Sequence, residues 1–115
     1  MKINYCITLC LLFFITANNL IAQNCNEGYT YYEELPETAV ISLGDSCLSD
    51  IDLSALNDLI SENNLDLTSP INVGNQTWTD GKLTTLIAKY NPGSSDGVNT
   101  QLEILPASFG DLNEL

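Results

Sequence analysis

The side chains that could do chemistry in this chain are few and nearly all acidic. Fifteen aspartates and glutamates stand against three lysines and arginines, with four cysteines and no histidine. Without histidine a serine or thiol nucleophile lacks its usual base, so catalysis would fall to paired carboxylates. Glu33/Glu34 and Asp50/Asp52 are the candidate pairs, and both lie in polar, acidic surroundings where a solvated surface is the simpler account. A calcium loop ending at Asp52 would place Ile41, Leu43, Asp45 and Ser46 at loop positions 1, 3, 5 and 6. Two oxygen ligands and the obligatory glycine are then missing, so that loop fails. The expectation is no catalytic residue, no metal and no cofactor.

The cysteines point to compartment. Lys2 followed by the apolar run ITLCLLFFI (Ile7 to Ile15) has the form of a secretory leader, with cleavage expected after Ala22. The competing account is an uncleaved amino-terminal anchor. Cleavage removes Cys6 and Cys10 and leaves 93 residues with Cys25 and Cys47, 22 positions apart. In an exported chain those two have one intramolecular pairing open to them, the alternative being two free thiols. A domain of that size is marginal without such help.

Charge excludes some partners. Once Lys2 is gone, Lys82 and Lys89 face all fifteen acidic residues. A nucleic-acid surface needs cations to displace phosphate counterions, and an anionic membrane surface makes the same demand. Neither partner is expected, nor is membrane insertion of the mature chain.

These residues must be positioned by a small set of elements. Tyr29, Tyr31 and Tyr32 and the run Thr38 to Leu43 have strand composition, separated by Leu35-Pro36. The tyrosines either form a binding platform or cover a small core with their hydroxyls in water. LSDIDLSALNDLISENNL predicts a helix, with Ser49 as N-cap and Asp50 and Asp52 in the dipole-favoured first turn. Leu53, Leu56, Leu59 and Ile60 make its apolar stripe, and Asn63-Asn64 its stop. Residues 65–80 carry Pro70, Gly74 and Asn75 and are expected to cross irregularly, delivering Trp78; Asn75-Gln76-Thr77 is a weak glycosylation match. Residues 92–100 are a loop by composition.

Two stretches then fit one template. Leu83-x-x-Leu86-x-Ala88-x-x-Asn91 resembles the LxxLxLxxN strand of a leucine-rich repeat. Leu102, Leu105, Pro106, Phe109, Gly110, Leu112 and Leu115 resemble the remainder, LxxLPxxFGxLxxL, in the version found in plant receptors and many bacterial surface proteins. Leu83 and Leu115 are 32 residues apart. The usual period is about 23–24, so an insertion of about nine follows Asn91. Upstream, the leucine-striped helix, Trp78 and the Cys-x-x-Gly-Tyr opening at Cys25 resemble the amino-terminal cap of exported leucine-rich-repeat proteins of marine bacteroidetes.

The resemblance implies an α/β fold: a leucine-rich-repeat solenoid fragment with a helix-containing amino-terminal cap and one disulfide. Residues 1–22 would be the signal peptide, 23–80 the capping region, and 81–115 the first repeat and the start of the second. In such proteins the variable positions beside the strand leucines face the ligand, here Thr84, Thr85, Ile87 and Lys89. Asn91 would tie backbone in the repeat's turn, with Pro106 and Gly110 structural. The implied function is a non-catalytic extracellular interaction module, secreted or at the cell surface, with a protein or glycan ligand. The alternatives are a small disulfide-stapled secreted domain and a calcium- or carboxylate-dependent glycan-active protein.

Overall fold

The structure, a computed structural model, describes residues 24–93, 98 and 100–115. The leader expected at 1–22 lies outside them. Among the described residues five strands and one α-helix run in the order β1 (Tyr29–Tyr31), β2 (Ala39–Leu43), β3 (Cys47–Ser49), α1 (Asp50–Glu62), β4 (Asn75–Thr79) and β5 (Lys82–Ile87). The chain is thus mixed α/β, with two small sheets.

β1 pairs antiparallel with β3, Tyr31 opposite Cys47. Cys25 and Cys47 form the expected disulfide, with their Cα atoms 5.6 Å apart, tying the segment before β1 to the first residue of β3. Ser49 ends β3 and caps α1, its Oγ facing the Asp52 amide at 3.5 Å. The second sheet has the order β2-β4-β5, β2 and β4 parallel, β4 and β5 antiparallel. A parallel pair cannot be joined by a tight turn, and here β3 and α1 make the crossover.

The helix has the expected span and stripe: Leu53, Leu56 and Leu59 are buried and Ile60 half-buried, with Ala55 and Asp52 buried beside them. Its stop is also as expected, with Asn63 as C-cap and Asn64 at φ 51°. This side of α1 joins Ala39, Leu48, Val73, Trp78 and Leu83 in one core.

The stretch 65–80 departs from expectation. It contains a 3-10 turn at Pro70–Asn72 and then β4, paired along its whole length. The cause is Asp80-Gly81, both at positive φ (50° and 78°), a combination that makes a two-residue hairpin turn between β4 and β5. Gly74 enters the strand at φ 54°, and a Cβ there would meet the Ile87 carbonyl oxygen at 2.1 Å, so the close crossing needs glycine.

Candidate functional site

β5 carries the residues predicted to face a ligand. Leu83 is fully buried, Leu86 and Ala88 are half-buried against the core, and Thr85, Ile87 and Lys89 are exposed between them. Strict strand alternation would put Leu83 and Leu86 on opposite faces. A bulge reconciles them: Leu83 sits opposite Trp78 but Thr85 opposite Thr77, so Thr84 is the extra residue. Thr84 is half-buried; its hydroxyl donates to the Thr77 carbonyl at 3.1 Å and lies 3.1 Å from that of Thr79.

Cross-strand register extends this exposed face over the whole sheet. Val40, Thr77 and Thr85 form one row, Asn75 and Ile87 the next, and Leu43 lies beside Thr79. Val40, Leu43 and Ile87 are 52%, 58% and 49% exposed. The result is a surface of partly exposed threonines flanked by aliphatic side chains. The repeat template marks only the β5 part of this face; Val40, Leu43, Asn75, Thr77 and Thr79 join it through cross-strand register. The available signal was Asp80-Gly81 between two alternating runs, which would have paired NQTWT with KLTTLI.

The opposite face fixes the sheet. Gln76, 2% exposed, donates through its amide to the Pro70 and Val73 carbonyls at 2.8 and 2.9 Å and accepts from the Trp78 indole at 3.0 Å. Asp52, 3% exposed, accepts the Leu83 amide at 2.9 Å and so ties the first turn of α1 to β5. Lys82 reaches the Ser49 hydroxyl at 3.3 Å, its ammonium 5.6 Å from the Tyr29 ring centroid. The carboxylates considered for catalysis differ in use. Asp50 takes the Thr30 hydroxyl at 2.6 Å, Asp52 takes Leu83, and Glu33 and Glu34 are exposed.

The remaining repeat positions divide. Pro106 and Leu112 are buried, Leu102 and Phe109 pack half-buried on the core, and Leu105 and Leu115 are 73% and 52% exposed. Asn91 donates its backbone amide to Val98 across a parallel bridge with Tyr90. Gly110 is exposed, without positive φ and with nothing within 4 Å of an added Cβ.

Two polar cavities lie elsewhere. One of about 230 Å³ opens beside the disulfide, lined by Asn26, Tyr29 and Asp45. Another of about 350 Å³ lies at the end of α1 between Glu62, Asn64, Gln101 and Glu103. Among the described residues no three acidic, histidine or cysteine side chains converge as metal ligands, and no helix is long and apolar enough to cross a membrane. No known protein family, curated protein or solved structure matches this chain.

Proposed function

We propose that this chain is the amino-terminal capping region and first repeat of an exported leucine-rich-repeat protein, acting as a non-catalytic interaction module. The observation that carries the reading is the side-chain pattern of β5 and the two residues after it, with Leu83, Leu86 and Ala88 inward and Thr85, Ile87 and Lys89 outward. That is the division a repeat strand makes between core and ligand face. A cap must also close a solenoid end, and α1, the fully buried Trp78 and the Cys25–Cys47 bridge supply a covering face, a filler and a staple. The ligand-facing positions are Thr84, Thr85, Ile87 and Lys89, and the module works outside the cell after losing its leader.

The reading frame beyond the Leu115 codon tests this. Further LxxLxLxxN units at a period of about 23–24 residues support it. A frame without them removes the repeat reading and leaves a small disulfide-stapled secreted domain. That second reading is favoured by a core which already buries Leu48, Leu56, Trp78 and Leu83 completely.

A further inference from the structure

We propose that the outer face of the β2-β4-β5 sheet docks an uncharged polysaccharide. The inference rests on the interaction-module reading and narrows its ligand from protein or glycan to one chemical class.

Charge is the first argument. The chain carries fifteen acidic residues, yet none falls within β2, β4 or β5. Glu37, Asp45 and Asp80 stand only at the strand ends and the hairpin turn. The face is therefore a window without carboxylates in an anionic surface; Lys82, the charged residue of these strands, turns its ammonium to Ser49 and Tyr29, and Lys89 follows β5. Anionic ligands meet repulsion from the surrounding carboxylates, and cationic ones find better partners anywhere else on the molecule.

Area is the second. Three strands about 4.8 Å apart and five residues at about 3.3 Å each offer a footprint of roughly 250 Å². Two copies of this footprint set face to face fall well short of the about 800 Å² per side of a stable dimer. Protein interfaces also draw most of their affinity from tryptophan, tyrosine and arginine anchors. Val40, Leu43, Thr85 and Ile87 are exposed on this face and Thr77 and Thr79 are half-buried, while Trp78 is fully buried on the other side.

Surface chemistry is the third. Each threonine offers a hydroxyl that both donates and accepts, beside a methyl group. The Thr79–Thr84 hydroxyl pair and the Thr84 bond to the Thr77 carbonyl hold part of this array in place before any ligand arrives. A sugar chain presents the matching alternation of hydroxyl edges and C–H faces. A face already held by sheet hydrogen bonds loses little freedom on binding.

The experiment is native affinity electrophoresis of the full chain in gels containing a soluble β-glucan, a galactomannan, hydroxyethylcellulose, or anionic alginate. At least one neutral polysaccharide should retard the protein, and retardation should persist in about 1 M salt, where screening acts within about 3 Å. Thr85→Asp combined with Ile87→Asp should weaken binding about tenfold or more, and Val40→Asp on the neighbouring strand should weaken it independently. Ser54→Asp, on the exposed side of α1, should bind as wild type. Circular dichroism melts select the variants that fold, and the single substitutions serve if the double one does not. Retardation by no neutral polysaccharide overturns the proposal. So does retardation by alginate alone, binding lost in high salt, or folded face variants that bind like wild type. Repeats downstream of Leu115 without glycan binding would leave the module and remove this ligand; glycan binding without repeats would do the reverse.

Discussion

Asn63 and Ile104 are joined through both ends of one side-chain amide. The Asn63 Nδ2 donates to the Ile104 carbonyl at 2.8 Å, and its Oδ1 accepts the Ile104 amide at 2.9 Å. The same Oδ1 takes the Glu103 amide at 2.8 Å, and Nδ2 also donates to Leu59 at 3.0 Å. A side chain 7% exposed at the end of α1 therefore serves as the pairing partner of residues 103 and 104.

Asn63→Ala leaves three backbone groups of residues 103 and 104 without that partner. Partly buried unpaired groups of this kind cost about 1–3 kcal/mol each before water compensates, so the loss should be about 2–3 kcal/mol in urea unfolding. Hydrogen exchange distinguishes this from general loosening, because the Glu103 and Ile104 amides should lose protection first. Asn63→Asp keeps an acceptor but cannot donate, so those two amides should stay protected while stability still falls. Unchanged exchange at 103 and 104 in Asn63→Ala would show that the clamp is not what holds the segment.

The two glycines at Gly74 and Gly110 should respond oppositely to alanine. At Gly74 the added Cβ meets the Ile87 carbonyl oxygen at 2.1 Å, on a backbone at φ 54°. The strand crossing must shift and a disfavoured conformation be filled, for a loss of about 3 kcal/mol. Gly110 has free space and no positive φ. Alanine there narrows the unfolded ensemble and should stabilise by about 0.4–1 kcal/mol. Paired denaturant melts check both signs, and a neutral Gly74→Ala would mean that the β4 entry tolerates another path.

Local signals carried the helix and the disulfide and failed at the sheet, for a physical reason. Ser49, the first-turn aspartates and the leucine stripe all act within one turn of α1, so the sequence held its bounds. Cys25–Cys47 followed from counting the cysteines left after the leader. β4 was read as irregular because its Gly74 and Asn75 look like turn-formers, although the Asp80-Gly81 turn and the alternation of Gln76 and Trp78 argue for a strand. The neighbours Val40 and Thr77 are 37 positions apart, and nothing local links them. The Asn63 clamp spans 41 positions and is equally silent, since an asparagine after a helix is an ordinary stop. Leu105 fits the repeat spacing and is 73% exposed.

Reduction of Cys25–Cys47 should act on the unfolded chain more than on any contact. The bridge closes 22 residues, and the loop-entropy relation gives roughly 3 kcal/mol for that length. Thermal melts of the chain with and without a reducing agent should differ accordingly. The β1–β3 pair, only three residues per strand, should lose amide protection before β4 and β5 do. Coincident melts would show that the bridge contributes little and that β3 is held by Leu48 in the core.

Tyr32 gives the fold a sensitivity to alkali. Burial raises its phenol above the ordinary tyrosine value, and the negative charge of Asp50 adds to the rise. The unfolded chain releases this proton at about pH 10, whereas the folded chain holds it to higher pH. Above the ordinary value the unfolded state therefore binds fewer protons than the folded one, and stability falls as pH increases. The contribution is fully present below about pH 10 and is lost as pH climbs towards the raised folded value. Absorbance titration of the folded protein should show a phenol ionising above the ordinary tyrosine value that is missing in Tyr32→Phe. Unfolding of Tyr32→Phe followed between about pH 9 and about pH 11 should decline less steeply than wild type. Equal slopes in the two proteins would place the alkaline sensitivity elsewhere.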